Sequence, residues 1–89
     1  MARRKINGPL LVLAKLLEVN EATIFKLQEL TGIKNWYTLN RHLEILKNIG
    51  FIKERYVEGP PMRRFISLTE KGREAAACAK RILELAGVL

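Results

Sequence analysis

The stretch TGIKNWYTLNRHLEIL, residues 31–46, constrains the fold of this chain more than any other part of it. Leu39, Leu43 and Leu46 recur at intervals of four and three, the spacing of one face of an α-helix. Asn35 is suited to cap that helix at its start and Gly50 to end it. Ahead of it, Ile24, Leu27 and Leu30, with Phe25 alongside, predict the inner stripe of a shorter helix over roughly residues 22–30, capped by Asn20. Gly32 supplies the positive-φ turn between the two, and Ile33 plugs the gap. Helix, tight glycine-containing turn and helix together make the helix-turn-helix pattern, whose second helix carries the recognition surface.

The period then changes. FIKERYV (residues 51–57) and RRFISL (residues 63–68) alternate apolar with charged or polar side chains and are rich in β-formers, which predicts two strands. Between them EGPPM is a turn that continues neither strand. A hairpin placed directly after a recognition helix is a wing. Thr69 caps a last helix over residues 70–86, with Glu70 in its first turn. Ala75, Cys78, Ala79, Ile82, Leu83, Ala86 and Leu89 form its apolar stripe.

The first helix, capped by Asn7 or Gly8 and carrying Pro9 in its first turn, runs to Val19 and is apolar almost all the way round. Such a helix is buried on every side, and 89 residues are little material with which to bury it. A second copy of the chain is the expected cover. Leu10, Leu13 and Leu17, with Ile82, Leu83 and Leu89 of the last helix, form the expected homodimer interface. The expected architecture is therefore a single domain, mainly α with a small β-hairpin. It has a basic arm at residues 1–6, a three-helix core and two-stranded wing at 7–68, and a dimerisation helix at 69–89.

Sixteen Lys and Arg face nine Glu and no Asp, for a net charge of +7. The excess is localised. Residues 1–5 carry +3 through Arg3, Arg4 and Lys5, residues 34–64 carry +4, and the rest of the chain is neutral. A local surplus of this kind fits a surface that meets a polyanion. The longest apolar run, residues 9–14, is too short to span a bilayer, and no signal-peptide cleavage site follows it, so the expected location is the cytoplasm. One Cys, one His and no Asp build neither a metal site nor a nucleophilic or acid–base constellation, so neither an enzyme nor a cofactor is expected. Cys78 reads as a small hydrophobe and His42, beside the leucine stripe, as a packing residue.

Opposite that stripe the recognition helix carries Trp36, Tyr37, Asn40, Arg41 and Glu44. Arg41 is suited to a bidentate bond with guanine and Asn40 with adenine. Tyr37 is suited to a phosphate through its hydroxyl or a thymine methyl through its ring. Trp36 either joins them or packs back onto the wing or the preceding helix. Lys53, Arg55, Arg63 and Arg64 flank the wing tip at Pro60 and Pro61 and are suited to phosphates or a narrow minor groove. The alternative for them is a solvated hairpin with Glu54 and Glu58 as cross-strand partners.

ELTGIKNWYTLNRHLEILKNIGFIKER, followed by a hairpin and SLTEKGRE, resembles the winged helix-turn-helix regulators of the MarR and ArsR kind found in archaea and bacteria. The shared features are a Leu–Gly–apolar turn before the recognition helix, the run Leu43, Leu46, Gly50, Phe51, Ile52, and LTEKG from Leu68 to Gly72. They cover roughly residues 20–75; the cysteine-rich metal box of ArsR sensors is absent. The resemblance implies a nucleoid-associated, homodimeric transcription regulator that binds double-stranded DNA in a sequence-specific manner. Its helix would lie in the major groove through Lys34, Asn35, Trp36, Tyr37, Asn40, Arg41 and Glu44, with its wing on the backbone or minor groove. The alternatives are a non-specific architectural DNA-binding protein and a winged-helix protein-interaction module.

Overall fold

The computed structural model describes residues 7–89 of the chain; the basic arm expected at residues 1–6 lies outside them. Seven elements follow one another: α1 (Asn7–Val19), β1 (Glu21–Thr23), α2 (Ile24–Thr31), α3 (Trp36–Ile49), β2 (Ile52–Val57), β3 (Arg63–Leu68) and α4 (Glu70–Leu85). The expected mainly α architecture with a hairpin wing is present, with one addition. The sheet has three antiparallel strands in the order β1-β3-β2 rather than two.

The extra strand displaces two sequence expectations. Asn20 does not cap α2; it takes a left-handed backbone conformation (φ 70°), and its N–H donates to the Leu16 carbonyl at 2.7 Å, closing α1 instead. Residues 21–23, expected to fall largely within the second helix, pair with β3 in the register Glu21 with Ser67, Ala22 with Ile66 and Thr23 with Phe65. Thr23 then caps α2, its hydroxyl accepting from the Lys26 N–H at 3.2 Å. The later punctuation is as expected. Gly32 (φ 76°) closes α2, and its N–H donates to the Gln28 carbonyl. The Asn35 side chain accepts from the Thr38 N–H at 3.0 Å to open α3, and Gly50 (φ 96°) ends it. The Gln28 amide also donates to the Lys34 carbonyl at 2.9 Å, holding the turn between the two helices.

The core is built on α1. Val12 and Leu16 are fully buried together with Leu27, Leu39, Leu43 and Ile66, so the predicted leucine stripe of α3 does face inward. Phe25 does not join the inner stripe of α2 but is exposed. The far side of α1 is covered by α4, its most extensive packing partner, through Ala76, Ala79 and Leu83. That corrects the expectation that a second chain must cover it. Leu13 and Leu83, assigned to a dimer interface, are buried in the chain's own interior at 3% and 1% exposure. Leu10 and Leu17 are half-buried, Leu10 and Leu17 both packing against the core. Ile82 and Leu89 remain exposed.

Two close approaches lock helices together. Gly8 lies against the His42 imidazole, so α1 starts directly on α3. Burial first, and the Arg41 charge second, hold the His42 pKa below its ordinary value, in keeping with a packing role. At the other end, Gly72 lies against the Phe51 carbonyl, leaving no room for a methyl group. Around it the Thr69 N–H donates to Phe51 O at 3.0 Å, the Thr69 hydroxyl donates to Gly50 O at 2.6 Å, and Gly72 N–H donates back to that hydroxyl at 2.9 Å. Helix propensity favours alanine over glycine inside a helix by about 1 kcal/mol, but overpacking costs about 1–3 kcal/mol. Gly72→Ala is therefore expected to lower the urea midpoint of unfolding; a midpoint equal to or above the parent's would show that the junction has room to yield.

Candidate nucleic-acid interface

The outward side of α3 is open to solvent in its first half. Trp36 and Tyr37 are 55% and 67% exposed, and Arg41 and Glu44 are exposed a turn later. More than half of the Trp36 surface is therefore open, less than that of Tyr37 beside it. Along the same side Tyr37, Asn40, Arg41, Glu44, Ile45 and Asn48 line a shallow hollow. Lys34 is exposed just before the helix, while the Asn35 side chain is occupied as its cap.

The wing sorts its arginines by strand alternation. With Lys53 opposite Ser67, Arg55 opposite Phe65 and Val57 opposite Arg63, these residues share the outer face of the sheet. Arg64 is on the inner face, opposite Tyr56 and beside the column Ile52, Glu54, Ile66 and Leu68. Arg63 and Lys53 are exposed, and like Arg41 they have no ion-pair partner among the described residues. Arg55 is engaged: its guanidinium donates to Glu21 at 3.1 Å and stacks over the Phe65 ring at 4.6 Å. An exposed pair of this sort contributes about 0–1 kcal/mol, so Arg55 is held but not sequestered.

Arg64 is different. Its Nε and Nη2 donate to Glu54 Oε2 at 3.2 and 2.6 Å, and its Nη1 donates to Asn40 Oδ1 at 2.9 Å. Asn40 Nδ2 in turn donates to the Trp36 carbonyl at 3.1 Å. The other Glu54 oxygen accepts from Lys47 at 3.4 Å and the Tyr56 hydroxyl at 3.2 Å. The wing and the first turns of α3 are thus joined by a continuous chain of polar contacts. Two expectations change in consequence. Arg64, assigned to a phosphate, is half-buried against α3. Asn40, assigned to adenine, has both ends of its amide occupied within the chain. Alternation places Arg64 opposite in face to Arg63, and its Glu54 partner is the cross-strand alternative that the hairpin offered, whereas the Asn40 contact comes from α3 and leaves no local signal.

The Glu54 side chain is only 6% exposed. Burial alone would raise its pKa, but the hydrogen bond and charge of Arg64, with those of Lys47, outweigh burial and hold it below the ordinary carboxylate value. Because the folded pKa is the lower one, this contribution to stability is present above about pH 4.5 and is lost as pH falls through the depressed value. Among the described residues, no three His, Cys or Glu side chains are placed to hold a metal ion. One unforeseen feature adjoins the wing: Phe25, Pro61 and Met62 line an apolar hollow between the start of α2 and the wing tip.

Among the described residues, four helices and a three-stranded antiparallel sheet, with a helix-turn-helix and a hairpin following its second helix, define a winged helix-turn-helix fold. The solved structures place it more narrowly, as the fold of MarR-like regulators. A transcriptional regulator homologue from Pyrococcus horikoshii OT3 superposes with a TM-score of 0.73 over 88% of this chain and 77% of its own, at 22% identity. SSV1 F-93 matches with a TM-score of 0.71 over 90% and 89%, at 25% identity. A mutant MarR from E. coli, solved in complex with operator DNA, matches with a TM-score of 0.67 over 84% of this chain and 53% of its own, at 17% identity. No protein-family model matches the sequence, and no match is found among curated proteins.

The Glu54 cluster is testable through acid unfolding. The parent is expected to lose stability as pH falls below about 4.5, whereas Glu54→Gln starts lower at neutral pH and declines less steeply there. Parallel stability–pH curves for the two proteins would show that Glu54 is not held as a carboxylate.

Proposed function

We propose that this chain is a sequence-specific, double-stranded-DNA-binding transcription regulator of the cytoplasm, acting at the nucleoid as a homodimer. The observation that carries the reading is the uncovered first half of α3. In helix-turn-helix docking, the amino-terminal residues of the second helix meet base edges in the major groove. Here that segment presents Trp36, Tyr37, Arg41 and Glu44, with Lys34 before it. Arg63 and Lys53 on the outer face of the wing, both without an ion-pair partner among the described residues, suit phosphates or a minor groove. The MarR protein solved with operator DNA has the same fold, which supports the assignment of the partner.

Homodimerisation rests on what α4 leaves open. Ile82, Leu85, Val88 and Leu89 are exposed at the carboxyl end, Leu85 to 71%. Apolar residues grouped in this way fit a second copy of the chain. Two α3 helices in a symmetric dimer meet half-sites spaced by about 34–36 Å or a multiple.

Arg41→Ala is expected to relax base preference at one position of each half-site, by an amount equivalent to roughly 1–3 kcal/mol. Arg63→Ala is expected to weaken binding to all duplexes alike and to flatten the salt dependence by about one charge. Footprinting and binding isotherms over a salt series measure both; an Arg41→Ala protein with the parent's selectivity would remove Arg41 from base reading. For assembly, Leu85→Glu is expected to halve the light-scattering mass while keeping the helical circular dichroism. An unchanged mass would exclude this stripe as the interface.

A further inference from the structure

We propose that the first turn of α3 reads thymine methyl groups, so that the half-sites of this protein are rich in A·T pairs where that turn enters the groove. The inference rests on the DNA-reading proposal above and specifies what is read. Three observations carry it. First, the two side chains at the leading end of α3 are large aromatics, Trp36 and Tyr37, each with more than half of its surface open. Second, the α3 amide nearest that end, on Asn40, is already engaged within the chain. A bidentate adenine contact needs the nitrogen and oxygen of the Asn40 amide together, and these are already joined to the Trp36 carbonyl and the Arg64 guanidinium. Third, the exposed charged side chains Arg41 and Glu44 are set back by one turn or more from the aromatic rings.

The four bases differ in what they show to such a surface. Guanine, cytosine and adenine present polar edges in the major groove, and thymine alone adds an apolar group, the C5 methyl. The apolar faces of two rings gain by covering methyls and gain nothing from covering an unpaired donor or acceptor. Removal of water from both ring and methyl then discriminates thymine from every other base. The wing acts in the same direction, because an arginine such as Arg63 is drawn to the narrow minor groove that A·T-rich DNA provides.

Replacing thymine by deoxyuridine deletes the methyl and leaves every hydrogen-bonding group of the duplex in place. The experiment begins with selection of a site from random duplex DNA by the full chain. The binding of the recovered duplex is then compared with that of the same duplex carrying deoxyuridine at one thymine at a time. The expected result is a recovered half-site with thymines at adjacent positions and a loss of about fourfold in affinity for each methyl in contact, on the scale of one buried carbon. In Tyr37→Ala or Trp36→Ala, both at exposed positions, the corresponding thymine and deoxyuridine duplexes are expected to bind alike. Equal affinity of the parent for the two duplexes, or a selected site without thymine at those positions, would overturn the proposal while leaving specific DNA reading intact. Failure to prefer any duplex over random DNA would overturn both proposals.

Discussion

The complete burial of Val12 and Leu16 of α1, between α4 on one side and the helix-turn-helix and sheet on the other, is the contact on which the rest of this structure depends. A small domain has a high ratio of surface to volume, and an apolar helix at its centre is one way to extract enough burial from it. Because α1 takes up the leucine stripe of α3 from behind, α3 needs no cover in front. Large aromatics can stand in water there without a structural duty. An exposed recognition surface is thus the counterpart of a central helix buried at Val12, Leu13 and Leu16.

A second constraint sets the geometry between that surface and the wing. Glu54 is nearly buried, and an unpaired carboxylate in its place would be costly. Arg64, Lys47 and Tyr56 supply its partners, and Arg64 extends the link to Asn40 and so to the first turn of α3. The wing therefore does not hang from its two strand ends alone. Its inner face is tied to the helix by directional contacts, while its outer face keeps Lys53 and Arg63 in solvent.

Much of this was legible in residues whose meaning is local. Asn35, Thr69, Gly32 and Gly50 mark helix ends through their own backbone and side-chain chemistry, and the structure uses all four in that way. The stripe of Leu39, Leu43 and Leu46 follows from helical spacing and is buried. What escaped local reading depends on partners distant in the chain. Three residues of β1 show too little alternation to announce a strand, and their partner, β3, lies more than forty positions away. Asn20 has the chemistry of an amino-terminal cap and of a left-handed helix end alike, and only the presence of β1 decides between them. Leu83 looks the same in sequence whether its neighbour is α1 of the same chain or a second copy. For the candidate site, the exposure of Tyr37 and Arg41 was readable from helical phase, whereas the phase left Trp36 open and gave no sign of the mutual contact of Asn40 and Arg64.

The third strand has a mechanical result. Through β1, the chain entering α2 is hydrogen-bonded to β3, and β3 is itself the return strand of the hairpin that α3 feeds through β2. Helix-turn-helix and wing accordingly form a closed circuit, joined covalently at one end and by backbone ladder bonds at the other. A circuit resists opening more than a free arm does, because no segment of it swings without breaking a rung. Any ligand that spans helix and wing meets a mould already set, and loses little of its binding free energy to arresting motion.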